Sequence, residues 1–91
     1  MWKIREFEWD EGNALHIQLG HGVLPEEAEE VFIGSPVLRK IRGGRYAAFG
    51  RTTEGRYLTI VFLNKGSGLV RIITGWDMTR KEKHYYQEQG R

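Results

Sequence analysis

The sequence predicts an α+β fold built on an antiparallel sheet. Three observations predict it. Beyond Pro36, four extended apolar segments are separated by short glycine-bearing turns, and strands joined so closely run antiparallel. Ahead of them stand two segments flanked by helix-start and helix-stop residues. After them, Thr79-Arg80-Lys81-Glu82 fits the Thr-x-x-Glu capping box that opens a helix. The order strand, two helices, strand meander, helix predicts an antiparallel sheet with the helices packed on one face.

Ile4–Trp9 alternates with a period of two, so it reads as a first strand with Phe7 and Trp9 inward. Asp10 is placed to cap a helix that Gly20-His21-Gly22 ends, because glycine accepts the left-handed backbone after a last turn. Pro25-Glu26-Glu27 opens a second helix: proline suits its first position and the acids complement the positive end of its dipole. Ala28, Val31 and Phe32 form its buried stripe, and Gly34-Ser35-Pro36 stops it. Val37–Arg42 and Arg45–Thr52 read as strands joined by the two-residue hairpin Gly43-Gly44. Arg56–Leu63 follows a turn at Thr53-Glu54-Gly55, and Leu69–Thr74 follows the loop Asn64–Gly68. The last helix runs through Tyr85 and Tyr86.

Ninety-one residues, 40% apolar and 12% aromatic, supply one ordinary core, so residues 1–91 read as a single domain with Gln87–Arg91 as a loose tail. The chain has no cysteine, which excludes disulfides, a thiolate nucleophile and cysteine-ligated zinc. No apolar run approaches the ~18 residues of a membrane span, and Met1–Arg5 leads into no secretory pattern, so a cytoplasmic protein is expected. Charge is segregated. Residues 1–34 carry eight acids and two bases, a net of −6, whereas residues 35–91 carry twelve bases and four acids, a net of +8. A basic half points to nucleic acid as a partner, against the blander reading of arginines on the wet face of a small sheet.

The three histidines, His16, His21 and His84, lack metal-ligand spacing, and neither a metal nor another cofactor is expected. Ser35 and Ser67 sit in glycine-containing turns without a nucleophile elbow. The arginines carry more information. Arg45, Ala47, Phe49 and Arg51 share one strand face; Arg56, Leu58, Ile60 and Phe62 share another; Arg71 and Ile73 share a third. Arginine beside large apolar neighbours marks the edge of a concave surface, and its planar fork suits phosphate. His21, between two glycines, reads as a general acid or base, or as a cation at a helix C-terminus. Glu82 reads as a capping residue. Arg80 and Lys81 begin a helix, where the dipole disfavours cations, so their placement points to a requirement outside the helix. Trp76, Tyr85 and Tyr86 read as stacking platforms for unpaired bases or as core.

Phe7-Glu8-Trp9-Asp10, His21-Gly22-Val23 and Glu26-Glu27-Ala28-x-x-Val31-Phe32 resemble the N-terminal half of the BrnT toxin family. Arg45-Tyr46, Gly50-Arg51-Thr52, Gly55-Arg56, Arg71-Ile72-Ile73 and Thr79-Arg80-x-Glu82 before Tyr85 resemble its second half, in order. The resemblance implies a RelE-like fold and a metal-independent endoribonuclease acting on single-stranded RNA, the toxin of a type II toxin–antitoxin pair. It implies a cognate DNA-binding antitoxin held in a hetero-oligomer. On this reading Arg51, Arg56 and Arg71 contact phosphate, and His21 and Lys81 transfer protons or stabilise charge. Arg45, Trp76, Arg80 and Tyr85 bind RNA. The sequence departs from the family pattern at Gly20, where a basic residue is common, at Leu24, where a Ser or Thr cap is common, and at Trp76, where an arginine is common. The alternative reading is a weakened module that keeps only antitoxin or RNA contacts.

Overall fold

A computed structural model describes residues 3–90. Strand β1 (Glu6–Glu8) leads into helices α1 (Glu11–His21) and α2 (Pro25–Ile33), followed by β2 (Val37–Lys40), β3 (Arg45–Arg51), β4 (Tyr57–Gly66), β5 (Leu69–Asp77) and α3 (Arg80–Glu88). The α+β class and the element order agree with the sequence reading. Gln87 and Glu88, expected in a loose tail, belong to α3. Arg91 lies outside the described residues.

The five strands form one sheet in the order β1-β5-β4-β3-β2. The meander β2 to β5 is antiparallel throughout. β1 is the correction: it pairs parallel to β5, Phe7 opposite Val70, at the edge remote from β2. A parallel neighbour needs a long crossover, and α1, α2 and the whole meander supply it. Nothing local in Ile4–Trp9 marks that pairing.

The helices are also distributed differently from expectation. α1 and α2 cover one face, over a core of Ile17, Val23, Ala28 and Val31 against Ala48, Leu58, Ile60, Phe62 and Ile72. α3 packs on the opposite face, where Tyr86 meets Val37, Ala47 and Phe49. The cause is visible in β4. Residues 58–62 are buried without interruption, as in a strand covered on both sides rather than one that alternates wet and dry.

The ends of the elements follow the expected chemistry. Asp10 caps α1, its carboxylate accepting from the Asn13 N–H at 3.0 Å, and Asn13 donates on to the Ile72 carbonyl at 2.8 Å. That buried amide ties α1 to β5. Leu24 offers α2 no side-chain acceptor, and Glu27 accepts the Leu24 N–H at 3.0 Å instead. Gly43 and Gly44 both take positive φ, 77° and 74°, but they turn the chain within a three-residue 3-10 loop, Arg42–Gly44, rather than a two-residue hairpin. Ile41 N–H donates to the Arg45 carbonyl across that loop at 2.9 Å.

Candidate functional site

Between α3 and the sheet runs an open groove of about 640 Å³. Ala47, Phe49, Thr59 and Val61 form its floor, since residues two apart on β3 and β4 share a face. Arg39, Lys40 and Ile41 form the β2 wall, and Lys81 and Tyr85 the α3 wall. Trp76 stands at one end. Arg39 lies 5.2 Å over the Tyr85 ring, which in turn packs edge-on against Phe49. Tyr85 is therefore part of the wall, and its face is already occupied by a guanidinium.

Glu82 organises the Trp76 end. One oxygen, Oε1, accepts from the Thr79 N–H at 2.9 Å, from Thr59 Oγ1 at 3.0 Å and from Trp76 Nε1 at 3.0 Å. The capping box seen in the sequence thus also fixes a groove residue and the tryptophan. Trp76 is paired with Thr59 across β4 and β5, so both side chains meet Glu82, and Gly75 beside it leaves room for the Ile60 side chain: a Cβ there would stand 2.6 Å from Ile60 Cδ1. Behind Trp76 lies His21, their ring centroids 6.2 Å apart. His21 packs edge-on against His16 at 5.3 Å, and His16 Nε2 sits 3.0 Å from Thr74 Oγ1. His21 thus stands beside Trp76 from α1, and Lys81 lines the same groove as Trp76 from α3.

The arginines expected to share a phosphate surface are separated. Arg45 and Arg51 lie on the α3 face, whereas Leu58, Ile60 and Phe62, the expected companions of Arg56, face α1 and α2. Arg56 is held on three sides. It donates to both oxygens of Asp77 at 2.8 and 3.0 Å, to Glu27 at 2.9 Å and to the Gly22 carbonyl at 2.9 Å. The hydrogen bonds that Arg56 donates to Asp77 push its guanidinium pKa up, and Arg56 holds the Asp77 carboxyl below its usual range. Arg71 is bound by Asp10 at 2.9 Å and Glu8 at 3.2 Å. Asp10 is lowered first by the Asn13 N–H and then by Arg71. Arg51 stands 4.8 Å over the Tyr57 ring. Arg45, Arg80 and Lys81 are exposed and make no ion pair among the described residues.

Three contributors were not legible as site residues: Arg39, Lys40 and Thr59. Arg39 sits opposite Ala47, so the period of two through Val37, Arg39 and Ile41 was the available signal. Thr59 carried none, being one polar residue within an apolar strand.

Sequence comparison gives the class of protein that has this fold and groove. Residues 9–82 match the family described as "Ribonuclease toxin, BrnT, of type II toxin-antitoxin system". The chain belongs to the BrnT toxin family. Among solved structures it is similar to the crystal structure of the ribonuclease toxin BrnT of Brucella abortus, with a TM-score of 0.71 at 20% identity. The match covers 82% of this chain and 97% of that one. No curated protein sequence matches. Membership of a type II family implies an antitoxin partner. Among the described residues no helix is long and apolar enough to cross a membrane.

Proposed function

We propose that this toxin is a cytoplasmic endoribonuclease that cleaves single-stranded RNA without a metal ion, at the Trp76 end of the α3 groove. The observation that carries the reading is that Trp76, with His21 packed 6.2 Å from it, lines the same cation-rimmed apolar groove as Lys81. An unpaired strand fits such a groove through stacking and phosphate contact, whereas a duplex hides its base faces. Arg45 and Arg80 guide the phosphate backbone, with Arg39 and Lys40 along the β2 wall.

In the reaction the ribose 2′-oxygen attacks phosphorus while the bond to the 5′-oxygen breaks. His21 takes the 2′-hydroxyl proton, Lys81 stabilises the phosphorane charge, and a protonated group or water supplies the proton to the leaving oxygen. The products are a 2′,3′-cyclic phosphate and a 5′-hydroxyl. Arg56 and Arg71 serve here by position, their forks filled by carboxylates.

One observation favours the second reading, a module that binds without efficient cleavage. Trp76 brings no cation to its position, and its single N–H is engaged by Glu82. The test is incubation of an end-labelled 20-nucleotide RNA, single-stranded or duplexed, in EDTA. Cyclic phosphate termini from the single strand, lost in Lys81→Ala and His21→Ala, are expected. Cleavage that requires a divalent ion overturns the proposal, and tight binding with no product selects the second reading.

A further inference from the structure

β2 is an edge strand: β3 pairs with one side of it, and no strand among the described residues pairs with the other. Arg39 faces the groove, and Lys40, next to it on the same edge, points to the other face; neither is in an ion pair among the described residues. The floor beside it, Ala47, Phe49 and Val61, is apolar. An open backbone edge, two cations and an apolar trough thus lie together.

We propose that the antitoxin neutralises this toxin by adding an extended acidic segment to the β2 edge and placing alternate apolar side chains in the groove. Main-chain hydrogen bonds supply the docking, and side chains pointing alternately into the trough supply register. The cations select the occupant. A row of like charge along an edge repels a second copy of the same edge and attracts carboxylates. The opposite edge, β1, is acidic, but Glu8 is already engaged by Arg71 at 3.2 Å and Lys65 at 3.4 Å. Antitoxin and RNA then exclude one another sterically. That last step rests on the proposed RNA site, whereas the docking does not.

Hydrogen exchange on the complex with the co-expressed antitoxin tests the docking without any cleavage assay. In an antiparallel pair only alternate amides bond to the neighbouring strand, so the outward amides of Val37–Lys40 exchange quickly in the free toxin. They should slow by about tenfold or more in the complex. The double variant Arg39→Glu/Lys40→Glu, whose side chains are exposed, should weaken the complex by about tenfold or more at low salt. Raising the salt should weaken the wild-type complex and leave the variant's little changed. Two results overturn the docking: protection confined to α1 and α2, or a free toxin whose β2 amides are already protected in a concentration-dependent self-assembly. A complex protected at β2 that still binds a 20-nucleotide RNA as the free toxin does removes only the steric exclusion and the RNA site it rests on. RNA cleavage that fails while β2 becomes protected removes only the nuclease reading.

Discussion

Arg56 and Asp77 form two parallel charge-assisted bonds, 2.8 and 3.0 Å long, between the start of β4 and the end of β5. The same guanidinium reaches Gly22 next to His21, and Asp77 is next to Trp76. The pair therefore fixes the spacing of His21 and Trp76, at the end of the groove where cleavage is proposed. Arg56→Ala should lower stability by about 1.5–3 kcal/mol, because it removes charged hydrogen bonds and leaves the Gly22 carbonyl without that donor. For a domain this size each kcal/mol shifts the melting point by about 4–8 °C. Arg56→Lys should recover less than half of the loss, since an ammonium cannot reproduce the fork. Thermal denaturation of both variants checks it. An Arg56→Ala protein that melts like the wild type while losing RNA affinity would return Arg56 to the phosphate role.

The same pair sets an acid limit. Arg56 depresses the Asp77 pKa in the folded state, so the unfolded chain takes up the proton first. The stabilisation is therefore complete above the unfolded value, about 3.9, and is lost as pH falls through the lower folded value. Asp10 is depressed in the same direction, by the Asn13 N–H and by Arg71, and adds to the acid lability. Asp77→Asn should flatten the stability profile below about pH 4 relative to wild type, without altering it near neutrality in slope. Urea midpoints measured from pH 2 to 7 check the sign. A wild-type profile that rises toward acid would refute it.

Glu82 Oε1 accepts three donors, which makes it more than a cap. Glu82→Ala should cost about 2–3 kcal/mol: roughly 1 kcal/mol for the cap and the rest for the partly buried Thr59 hydroxyl and Trp76 N–H left unpaired. Glu82→Gln retains an acceptor oxygen and should cost about half as much. Trp76 fluorescence should shift in Glu82→Ala even under conditions where the fold is intact. An unchanged emission spectrum would show that the indole is held by packing alone.

The parts of the fold set by near neighbours in sequence were legible: the caps at Asp10 and Thr79, the stop at Gly22 and the strand meander. What escaped was non-local. The pairing of β1 with β5 joins Glu6 to Leu69, and no feature of either segment names the other. The placement of α3 on the second face depends on Val61 and Thr59 being buried, which a continuous apolar run states only ambiguously. The site was legible by residue type more than by role. Arg56 and Arg71 stood out as arginines, but Glu27, Asp77, Glu8 and Asp10, which fill their forks, reach them from other elements.

Trp76 is where the chain departs most consequentially from the pattern it resembles. Its indole has one donor, which Glu82 accepts, and no charge to offer a phosphorane. Losing one preorganised donor from a charged transition state typically slows a reaction by about 10²–10³-fold. The wild-type protein should therefore cleave RNA slowly, and Trp76→Arg should accelerate it. The new guanidinium keeps a partner in Glu82 and stands beside His21, so the change adds a cation without stranding the carboxylate. The gain should appear in the single-turnover rate and not, by a comparable factor, in RNA affinity, because it belongs to the transition state. Trp76→Phe separates the packing from the hydrogen bond: it keeps an aromatic face toward His21, loses the donor, and should leave the rate within a few-fold of wild type. A Trp76→Arg protein that melts several degrees lower and cleaves no faster would show that the indole is core, and that the cation for cleavage is supplied by Lys81 alone.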